Sequence, residues 1–328
     1  MADARTAVLC FGEALIDFLE RPPTDAGTPR TFVEHAGGAP ANVAVGVARL
    51  GGDACFAGML ANDLFGDALF AEFARHGVDT SQVRRTDAAP TALAFVALDT
   101  HGERSFTFYR PPAADLLFET RHFDVARVRG AAIFHACSNS LTEPGIAEVT
   151  LHGLRLARDG GALASVDLNL RPALWPRGVD PAPVLWHMLA LADLVKLSRE
   201  ELAFLAADAP EDAVIARLLA EHAQAVVVTD GAAPIRWWTR TASGTAPTLR
   251  VEAVDSTAAG DAFVAGLLQR IAALGIDRAR LAQAFEDDAT RGDLLRRAAA
   301  SGAFATTRYG AFAAMPTAAD VRALLEAA

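Results

Sequence analysis

The chain has 328 residues, of which 52% are hydrophobic and 21% charged, with a formal net charge of −10 and a pI near 5.3. This composition is too apolar for a disordered chain and sufficient for a large buried core. The negative charge argues against a nucleic-acid-binding protein, which needs a basic face, and no stretch approaches the ~18 uninterrupted apolar residues of a membrane span. We therefore expect neither nucleic acid nor membrane as a partner.

The three cysteines, Cys10, Cys55 and Cys137, each lie in an apolar run, and none forms a CxxC pair. An odd, scattered set of this kind indicates buried thiols in a reducing compartment instead of disulfides or a zinc site. The N-terminal residues also lack the long apolar region of a secretory signal. The sequence therefore predicts a cytoplasmic protein.

Lys196 is the only lysine, so 29 of the 30 basic residues are arginine. A Walker A loop requires Gly-Lys-Ser or Gly-Lys-Thr, which is missing, as are the protein-kinase signatures. No predicted strand is followed by the Gly-x-Gly-x-x-Gly of a dinucleotide site. If the chain handles ATP, backbone amides and arginine must hold the phosphates.

The first segment predicts a buried strand over residues 8–12 and a returning strand over 31–35. A glycine turn at 36–42 then opens an apolar helix over 43–50. Glycines let backbone amides approach a polar ligand, and Asn42 offers both a donor and an acceptor. By itself this stretch is more typical of an ordinary turn and helix start.

Residues 54–76 predict a strand followed by a helix, and two further runs, 91–98 and 104–109, flank a loop that contains glycine. That is the pattern of a β-hairpin. A hairpin inserted into a βα chain indicates a small separate sheet. Together with residues 14–34, it can cover a site as a lid.

From residue 131 onward, strands and helices alternate, which indicates a parallel sheet covered by helices on both faces. The predicted strands are 131–136, 163–168, 194–197 and 225–229, and the predicted helices include 143–158, 185–191 and 200–207. Ligands in such folds bind beyond the carboxyl ends of the strands. Polar residues follow these strands, including Asp167, Asn169, Arg171, Ser198 and Thr229.

The turn at 255–261 lies between a β-patterned run over 248–254 and an apolar helical segment. The amides of Ala258, Ala259 and Gly260 would lie at the helix start, where they can bind an anion. A carboxylate at Asp261 would repel a phosphate bound there. Its presence is explained if it takes a proton from an attacking hydroxyl. The turn alone is equally compatible with an ordinary helix cap.

Taken together, the turns at 36–42 and 255–261 resemble the two signatures of the ribokinase or PfkB-like carbohydrate kinases, over nearly the whole chain. The resemblance implies ATP-dependent phosphorylation of a sugar hydroxyl, with Mg²⁺. It also implies one Rossmann-like (ribokinase-like) α/β catalytic domain over 1–328, a mostly parallel sheet flanked by helices. A small β-sheet lid would come from segments at about 14–34 and 91–112.

By the same resemblance, Asp261 is the catalytic base, and the anion hole consists of Ala258, Ala259 and Gly260. The implied sugar-binding residues are Asp17, Gly37, Gly38, Asn42, Arg110, Arg171 and Asp261. The implied nucleotide-binding residues are Lys196, Ser198, Thr229, Gly231 and Gly260. Glu201 would organise Mg²⁺ through water, and Asp255 would lie near a monovalent cation such as K⁺.

The motifs around the implied sugar site look most like those of bacterial fructokinases, so we expect fructose as substrate and fructose 6-phosphate as product. 2-Keto-3-deoxygluconate kinase, ribokinase and nucleoside kinase remain alternatives, and an Arg110 that points into the sugar site would favour an acidic sugar. A non-catalytic sugar- or nucleotide-binding regulator is the alternative from another class. The resemblance also implies a homodimer formed through the lid.

Overall fold

The computed structural model describes residues 7–21, 29–98, 104–110 and 112–327. The predicted hairpin loop at 99–103 and part of the first lid segment, 22–28, lie outside the described residues. The strands are β1 Val8–Phe11, β2 Leu15–Arg21, β3 Thr31–Gly37, β4 Ala54–Ala61, β5 Asp79–Thr86, β6 Leu93–Leu98, β7 Arg104–Tyr109, β8 Ile133–Cys137, β9 Leu163–Asp167, β10 Leu194–Ser198, β11 Ala225–Thr229, β12 Ile235–Trp238 and β13 Ser243–Ala246.

The α-helices that connect these strands come mainly from the second half of the chain. They are α1 Ala39–Arg49, α2 Leu64–Arg75, α3 Val125–Gly130, α4 Pro144–Asp159, α5 Ala182–Leu189, α6 Arg199–Ala206, α7 Glu211–Ala220, α8 Ala259–Ala273, α9 Leu281–Glu286, α10 Asp288–Thr306 and α11 Ala318–Ala327.

Nine strands form the large sheet, in the order β13-β12-β11-β10-β9-β8-β1-β4-β5. The pairs from β11 to β5 are parallel, whereas β12 and β13 are antiparallel additions at one edge. The expected mostly parallel sheet is confirmed. Because parallel strands align their carboxyl ends, the loops after β1, β8, β9 and β10 emerge along one side of the sheet.

The small sheet has the order β3-β2-β6-β7. Strands β6 and β7 are antiparallel, as the hairpin pattern predicts, and β2 joins them by pairing parallel to β6. Strand β2 follows β1 after only a short turn at residues 12–14. The small sheet therefore begins where the first strand of the large sheet ends.

Two hydrophobic clusters fill the two faces of the large sheet. One contains Val43 of α1 and Phe263 of α8, and the other contains Leu154 of α4 and Leu202 of α6. The expected arrangement of helices on both faces is therefore confirmed. Burial of these apolar faces fixes each helix against the sheet, which in turn fixes the loops at the strand ends.

The strand predicted over 248–254 is wrong, because the structure has no strand there. This segment leaves the edge strand β13 and crosses to the start of α8. Its last amides, those of Val254 and Asp255, donate to the carbonyl of Thr306 at the end of α10, at 2.8 and 3.0 Å. The alternating pattern therefore does not correspond to a ladder in a sheet: Leu249 packs against the core, whereas Val254 is 46% exposed.

Within the described residues, no single helix is long and apolar enough to cross a membrane. The helix Ala259–Ala273 and the helical stretch Arg278–Glu286 meet that standard only as a pair, by length and composition, and they are bent by 104° relative to each other. Most of the first helix is buried in the core.

Candidate active site

The turn before α8 is held by the carboxylate of Asp255 and enters the helix through a left-handed residue. The Asp255 carboxylate accepts hydrogen bonds from the amides of Thr257, at 2.7 Å, and Gly310, at 3.3 Å, so it holds the turn from both sides. Ala258 then adopts a left-handed conformation, with φ 57°, and α8 starts at the next residue. The first amides of a helix have no partners within it and carry the positive end of its dipole. The amide of Ala259 donates to the carbonyl of Ser256 at 3.3 Å, a long hydrogen bond that a phosphate could replace.

Asp261 lies in the first turn of α8 and is 7% exposed. Its two carboxylate oxygens each accept a hydrogen bond from a different side of the cleft. The Nδ2 of Asn42, on α1, donates to Oδ2 at 2.7 Å, and the Nδ2 of Asn169, after β9, donates to Oδ1 at 3.0 Å. The two signature turns, 219 residues apart at this contact, therefore meet at one carboxylate.

Small residues one helical turn further on allow this meeting. Gly46 follows Asn42 by four positions on α1, and Ala265 follows Asp261 by four positions on α8. A Cβ at Gly46 would lie only 2.5 Å from the Ala265 Cβ, closer than side chains can pack. The missing side chain lets the two helices approach, which brings the amide of Asn42 within reach of Asp261.

Burial raises the pKa of Asp261 to about 6, and the negative charge of Asp167 adds to this increase. The hydrogen bond from Asn42 and the positive charges of Arg171 and Lys196 oppose it, because they favour the ionised form. A carboxyl group with this pKa is mostly ionised at neutral pH. It is still basic enough to accept a proton from a hydroxyl that is losing it.

A cavity of about 530 Å³ opens in front of Asp261, between the large sheet and the small sheet. The predicted sugar-binding residues that line it are Asp17, Gly38, Asn42, Arg110, Arg171 and Asp261. Gly37 lies behind Asp17, where a Cβ would overlap the Asp17 carboxylate, so its role is to leave room for that side chain. The structure thus brings the predicted sugar-site residues to one place.

Asp17 reaches the cavity from β2 of the small sheet and is partly exposed to it. Its pKa is raised to about 7, first by its enclosure in the protein and then by the negative charge of Asp261. The positive charge of Arg171 opposes the shift. The cavity therefore holds two carboxyl groups whose negative charges are only partly balanced by nearby positive charges. Such groups are strong acceptors for hydroxyl donors.

Arg110 also lines the cavity, but its guanidinium group is already bound. Asp115 accepts from Nε at 2.8 Å and from Nη2 at 2.5 Å, and the backbone carbonyl of Asn139 accepts from Nη1 at 2.9 Å. Both side chains of the Arg110–Asp115 pair are 2% exposed. Arg110 is therefore not the free planar fork that recognition of a substrate carboxylate would require.

The predicted nucleotide-binding residues lie at neighbouring strand ends. Lys196 on β10 is buried and forms an ion pair with Asp167 at 3.1 Å. A Cβ at Gly260 would lie 3.1 Å from the Lys196 ammonium, so this charge lies directly beside the first turn of α8. Thr229 is the register partner of Ser198 on the adjacent strand.

Glu201 has both of its carboxylate oxygens on backbone amides. Oε1 accepts from Leu170 at 2.8 Å and Oε2 accepts from Ser198 at 2.7 Å, while the Ser198 hydroxyl accepts from the amide of Glu201. Each oxygen retains a lone pair, so the group can still accept a hydrogen bond from a metal-bound water. Gly231, predicted on the same side, has φ 50°, which glycine adopts without strain. Within the described residues, no group of three or more His, Cys, Asp or Glu side chains is arranged to hold a metal ion.

Three polar residues that line the cavity just after parallel strands were not among the predicted site residues: Glu13, Asn139 and Asn169. Asn139 donates to the buried carboxylate of Glu13 at 3.0 Å, and the same oxygen of Glu13 accepts from the amide of Ala39, at the start of α1. Each of the three follows a parallel strand by two positions, and this position was the available sequence signal.

A larger cavity, of about 620 Å³, lies elsewhere, among residues that include Arg85, Leu117, Glu119 and His122. It contains none of the predicted site residues. It also lies away from the start of α8, the element that carries the anion site and Asp261. Size alone therefore does not identify the reactive site in this fold.

The match to known proteins agrees with this geometry. Residues 5–318 match the pfkB family carbohydrate kinase profile. The chain belongs to the pfkB family of carbohydrate kinases. Fructokinase-1 of Zea mays is 40% identical over 333 residues, with complete coverage of both chains. The pfkB kinase described here is thus an enzyme that transfers a phosphoryl group from ATP to a carbohydrate.

Solved structures extend the comparison. Fructokinase from Xylella fastidiosa, solved with bound ATP, is 55% identical, with a TM-score of 0.93 and coverage of 98% of each chain. A double mutant of the Vibrio cholerae O395 fructokinase, in a form bound to fructose, ADP and potassium ion, is 32% identical. Its TM-score is 0.85, with coverage of 99% of this chain and 100% of that one. The ribokinase-like fold of this pfkB kinase is therefore confirmed.

Proposed function

We propose that this pfkB kinase phosphorylates a primary hydroxyl of fructose with ATP to give fructose 6-phosphate and ADP. The observation that carries the proposal is the position of Asp261, a carboxylate of raised pKa that lies both on the sugar cavity and in the first turn of α8. The identity of 55% to the Xylella fastidiosa fructokinase supports fructose as the sugar.

In the proposed complex, Asp17 accepts hydrogen bonds from sugar hydroxyls, and Asn42 contributes a second contact. The Oδ1 of Asn42 is buried and has no hydrogen-bond partner among the described residues, whereas its Nδ2 is bound to Asp261. An unsatisfied buried acceptor is costly unless a ligand supplies the donor. A sugar hydroxyl is such a donor, so this observation supports Asn42 as a sugar-binding residue.

For the transfer itself, we propose that Asp261 accepts the proton of the attacking hydroxyl while the first amides of α8 hold the transferring group. The Ala258, Ala259 and Gly260 amides supply fixed donors, and Lys196 supplies a positive charge beside Gly260. Mg²⁺, when bound to the nucleotide, would neutralise charge on its phosphates. Glu201 would orient a water of that ion, and Ser198, Thr229 and Gly231 would border the nucleotide.

A neutral sugar fits the cavity better than an acidic one. Asp115 neutralises Arg110, and the acidic groups Glu13, Asp17 and Asp261 outnumber Arg171, the other arginine of the lining, so the net charge would repel a substrate carboxylate. This supports fructose over 2-keto-3-deoxygluconate, the alternative that a free Arg110 would favour. Ribose and nucleosides are the other neutral candidates, and the experiment below includes them.

Further parts of the proposal concern a cation, the oligomeric state and the location of the protein. The potassium-bound structure of the Vibrio cholerae enzyme supports the use of a monovalent cation, which we place near Asp255. We propose a homodimer through the small sheet, whose outer strands are β3 and β7, because exposed strand edges favour pairing. Cys10, Cys55 and Cys137 are free and buried, which supports a location in the cytoplasm.

The test is ADP production with ATP and Mg²⁺ over fructose, 2-keto-3-deoxygluconate, ribose, glucose and adenosine, with Asp261→Asn as the control. We expect turnover with fructose that falls by roughly a hundredfold or more in the variant. Turnover with another sugar alone would be compatible with the proposed mechanism but would refute fructose as the substrate. ATP binding without ADP release for any acceptor would favour the non-catalytic regulator.

A further inference from the structure

Asn169 lies two residues after β9, in a conformation that most side chains avoid. Its φ is 44°, and only Ala207 and Ala258 share a positive φ among the non-glycine residues in the described part of the chain. Asparagine tolerates this left-handed region better than most residues, at a cost of about 1–2 kcal/mol in general. A strained backbone in the wall of a reactive cavity calls for a physical reason.

The contact that this conformation allows is specific. Asn169 is 5% exposed, and its Nδ2 donates to the Oδ1 of Asp261, 92 residues away, at 3.0 Å. The opposite amide orientation would place a carbonyl oxygen against a carboxylate, which is repulsive, so the donor must face Asp261. The carboxylate is thus held by one carboxamide on each oxygen, Asn42 on Oδ2 and Asn169 on Oδ1.

The same turn also reaches the nucleotide side. The amide of the next residue, Leu170, donates to Glu201 at 2.8 Å. The left-handed residue reverses the chain direction, so that the side chain of Asn169 and the backbone amide of Leu170 bind two different carboxylates. Removing the Asn169 amide while retaining the turn would separate these two roles.

We propose that Asn169 is a positioning residue that fixes the orientation of the Asp261 carboxylate, so that one oxygen faces the sugar hydroxyl. This rests on the proposed role of Asp261 as the base. Two donors on different oxygens prevent rotation of the carboxylate about its side-chain bond. They leave one lone pair on each oxygen for the substrate. A base held in its reactive orientation loses less entropy on the way to the transition state.

The charged and titratable groups around Asp261 come from several elements. They are Asp17 on β2, Cys137 on β8, Asp167 on β9, Arg171 after β9 and Lys196 on β10. Asn169 adds a neutral donor that favours the ionised carboxylate. Its removal should therefore raise the pKa of Asp261 without changing the net charge of the site.

The test compares Asn169→Gly and Asn169→Ala with the wild type. Glycine adopts the positive φ without strain, and alanine adopts it elsewhere in this fold, at Ala258; both remove the amide without adding charge. Ala207→Gly is the matched control, because Ala207 has a φ of 49° but lies at the end of α6, outside the cavity. The measurements are kcat, KM for fructose and for ATP, the pH dependence of kcat, and Tm.

We expect both Asn169 variants to lower kcat by about tenfold to a hundredfold, the scale of a lost hydrogen bond to a charged group. The acid limb of kcat should move to higher pH, KM for ATP should stay within about threefold, and Ala207→Gly should retain full activity. If Asn169→Gly retains kcat and an unshifted acid limb while Asp261→Asn is inactive, the inference is overturned and Asn169 only shapes the turn.

A different result would show that the proposed function itself is wrong, and not only the inference about Asn169. If Asp261→Asn retains wild-type turnover with fructose, Asp261 is not the base, and the inference fails with it. If Asn169→Gly does not fold, as judged by Tm, Asn169→Ala gives the answer. An unchanged kcat and pH profile in Asn169→Ala overturns the inference, and a slower enzyme with a shifted acid limb supports it.

Discussion

Two groups of charged side chains lie at the same cavity, and the fold treats them differently. Arg110 lines the cavity and forms a closely hydrogen-bonded pair with Asp115, with both side chains 2% exposed. Asp17 and Asp261 also line the cavity, and burial raises the pKa of both. The charges of the first group neutralise each other inside the protein, whereas the negative charges of the second group are balanced only in part. The comparison supports the proposal that sugar hydroxyls bind at the carboxyl groups of Asp17 and Asp261, whereas the paired charges support the wall.

The largest expected effect comes from breaking the paired group. Asp115→Asn would leave the Arg110 charge buried without its counter-ion, so the free energy of unfolding should fall by about 3 kcal/mol. The freed guanidinium should also raise the kcat/KM for 2-keto-3-deoxygluconate relative to fructose. Urea denaturation and the two-substrate assay measure these effects.

The control for this prediction is Glu211→Gln, which removes a partner of Arg236 from a pair whose side chains are 33% and 38% exposed. Because exposed ion pairs contribute little, we expect a loss below about 1 kcal/mol. An equal loss of stability in the two variants would contradict the distinction between paired and exposed charges. An unchanged preference for fructose in Asp115→Asn would refute the role of charge in rejecting the acid.

A smaller effect is expected from the unpaired group. Asp17→Asn replaces a charged acceptor with a neutral one of the same shape, so KM for fructose should rise about tenfold or more, the scale of a hydrogen bond between a charged group and a hydroxyl. The matched control, Glu34→Gln, changes an exposed carboxyl on β3 and should leave KM unchanged. Steady-state kinetics at saturating ATP give both values, and equal KM values for the wild type and Asp17→Asn would exclude Asp17 from the sugar site.

The smallest expected effect concerns the backbone of the anion site. Ala258 has φ 57°, whereas Ala259 begins the helix. Glycine at 258 relieves a left-handed backbone strain of about 1 kcal/mol in the folded state. This gain offsets the loss of stability that arises because glycine makes the unfolded chain more flexible. Glycine at 259 only lowers helix stability, by about 0.5–1 kcal/mol. Thermal unfolding should thus place Ala258→Gly above Ala259→Gly, and the reverse order would contradict a strained turn.

Much of the fold was predictable because its signals are local. The apolar runs at β8, β9, β10 and β11 identify a parallel sheet, and the two small-residue turns identify the site. Strand β5, with the sequence Asp-Thr-Ser-Gln-Val-Arg-Arg-Thr, was not predicted, because this polar edge strand has little hydrophobic alternation. The hairpin of β12 and β13 was also missed, because each of its strands has only 4 residues.

The site was less predictable where it depends on pairing between distant residues. The positions of Asp17, Asn42 and Asp261 follow from the resemblance, but the binding of Arg110 by Asp115 depends on a helical turn at Ala114–Leu117 that no sequence pattern indicated. The contact of Asn169 with Asp261 likewise depends on a positive φ at a residue other than glycine. Backbone conformation of this kind is decided by the folded surroundings.

The most direct test of the central claim is the pH dependence of kcat/KM for fructose, at saturating ATP and Mg²⁺, because this quantity reports the ionisation of the enzyme before fructose binds. As pH falls, Asp17 should take a proton near pH 7 and Asp261 near pH 6. If both must be ionised, log kcat/KM should fall with a slope of one between these values and a slope of two below them. Asp17→Asn should retain only the lower step. A kcat/KM that stays constant from pH 8 to pH 5 would contradict the account, since neither carboxyl group would then take part in its raised-pKa form.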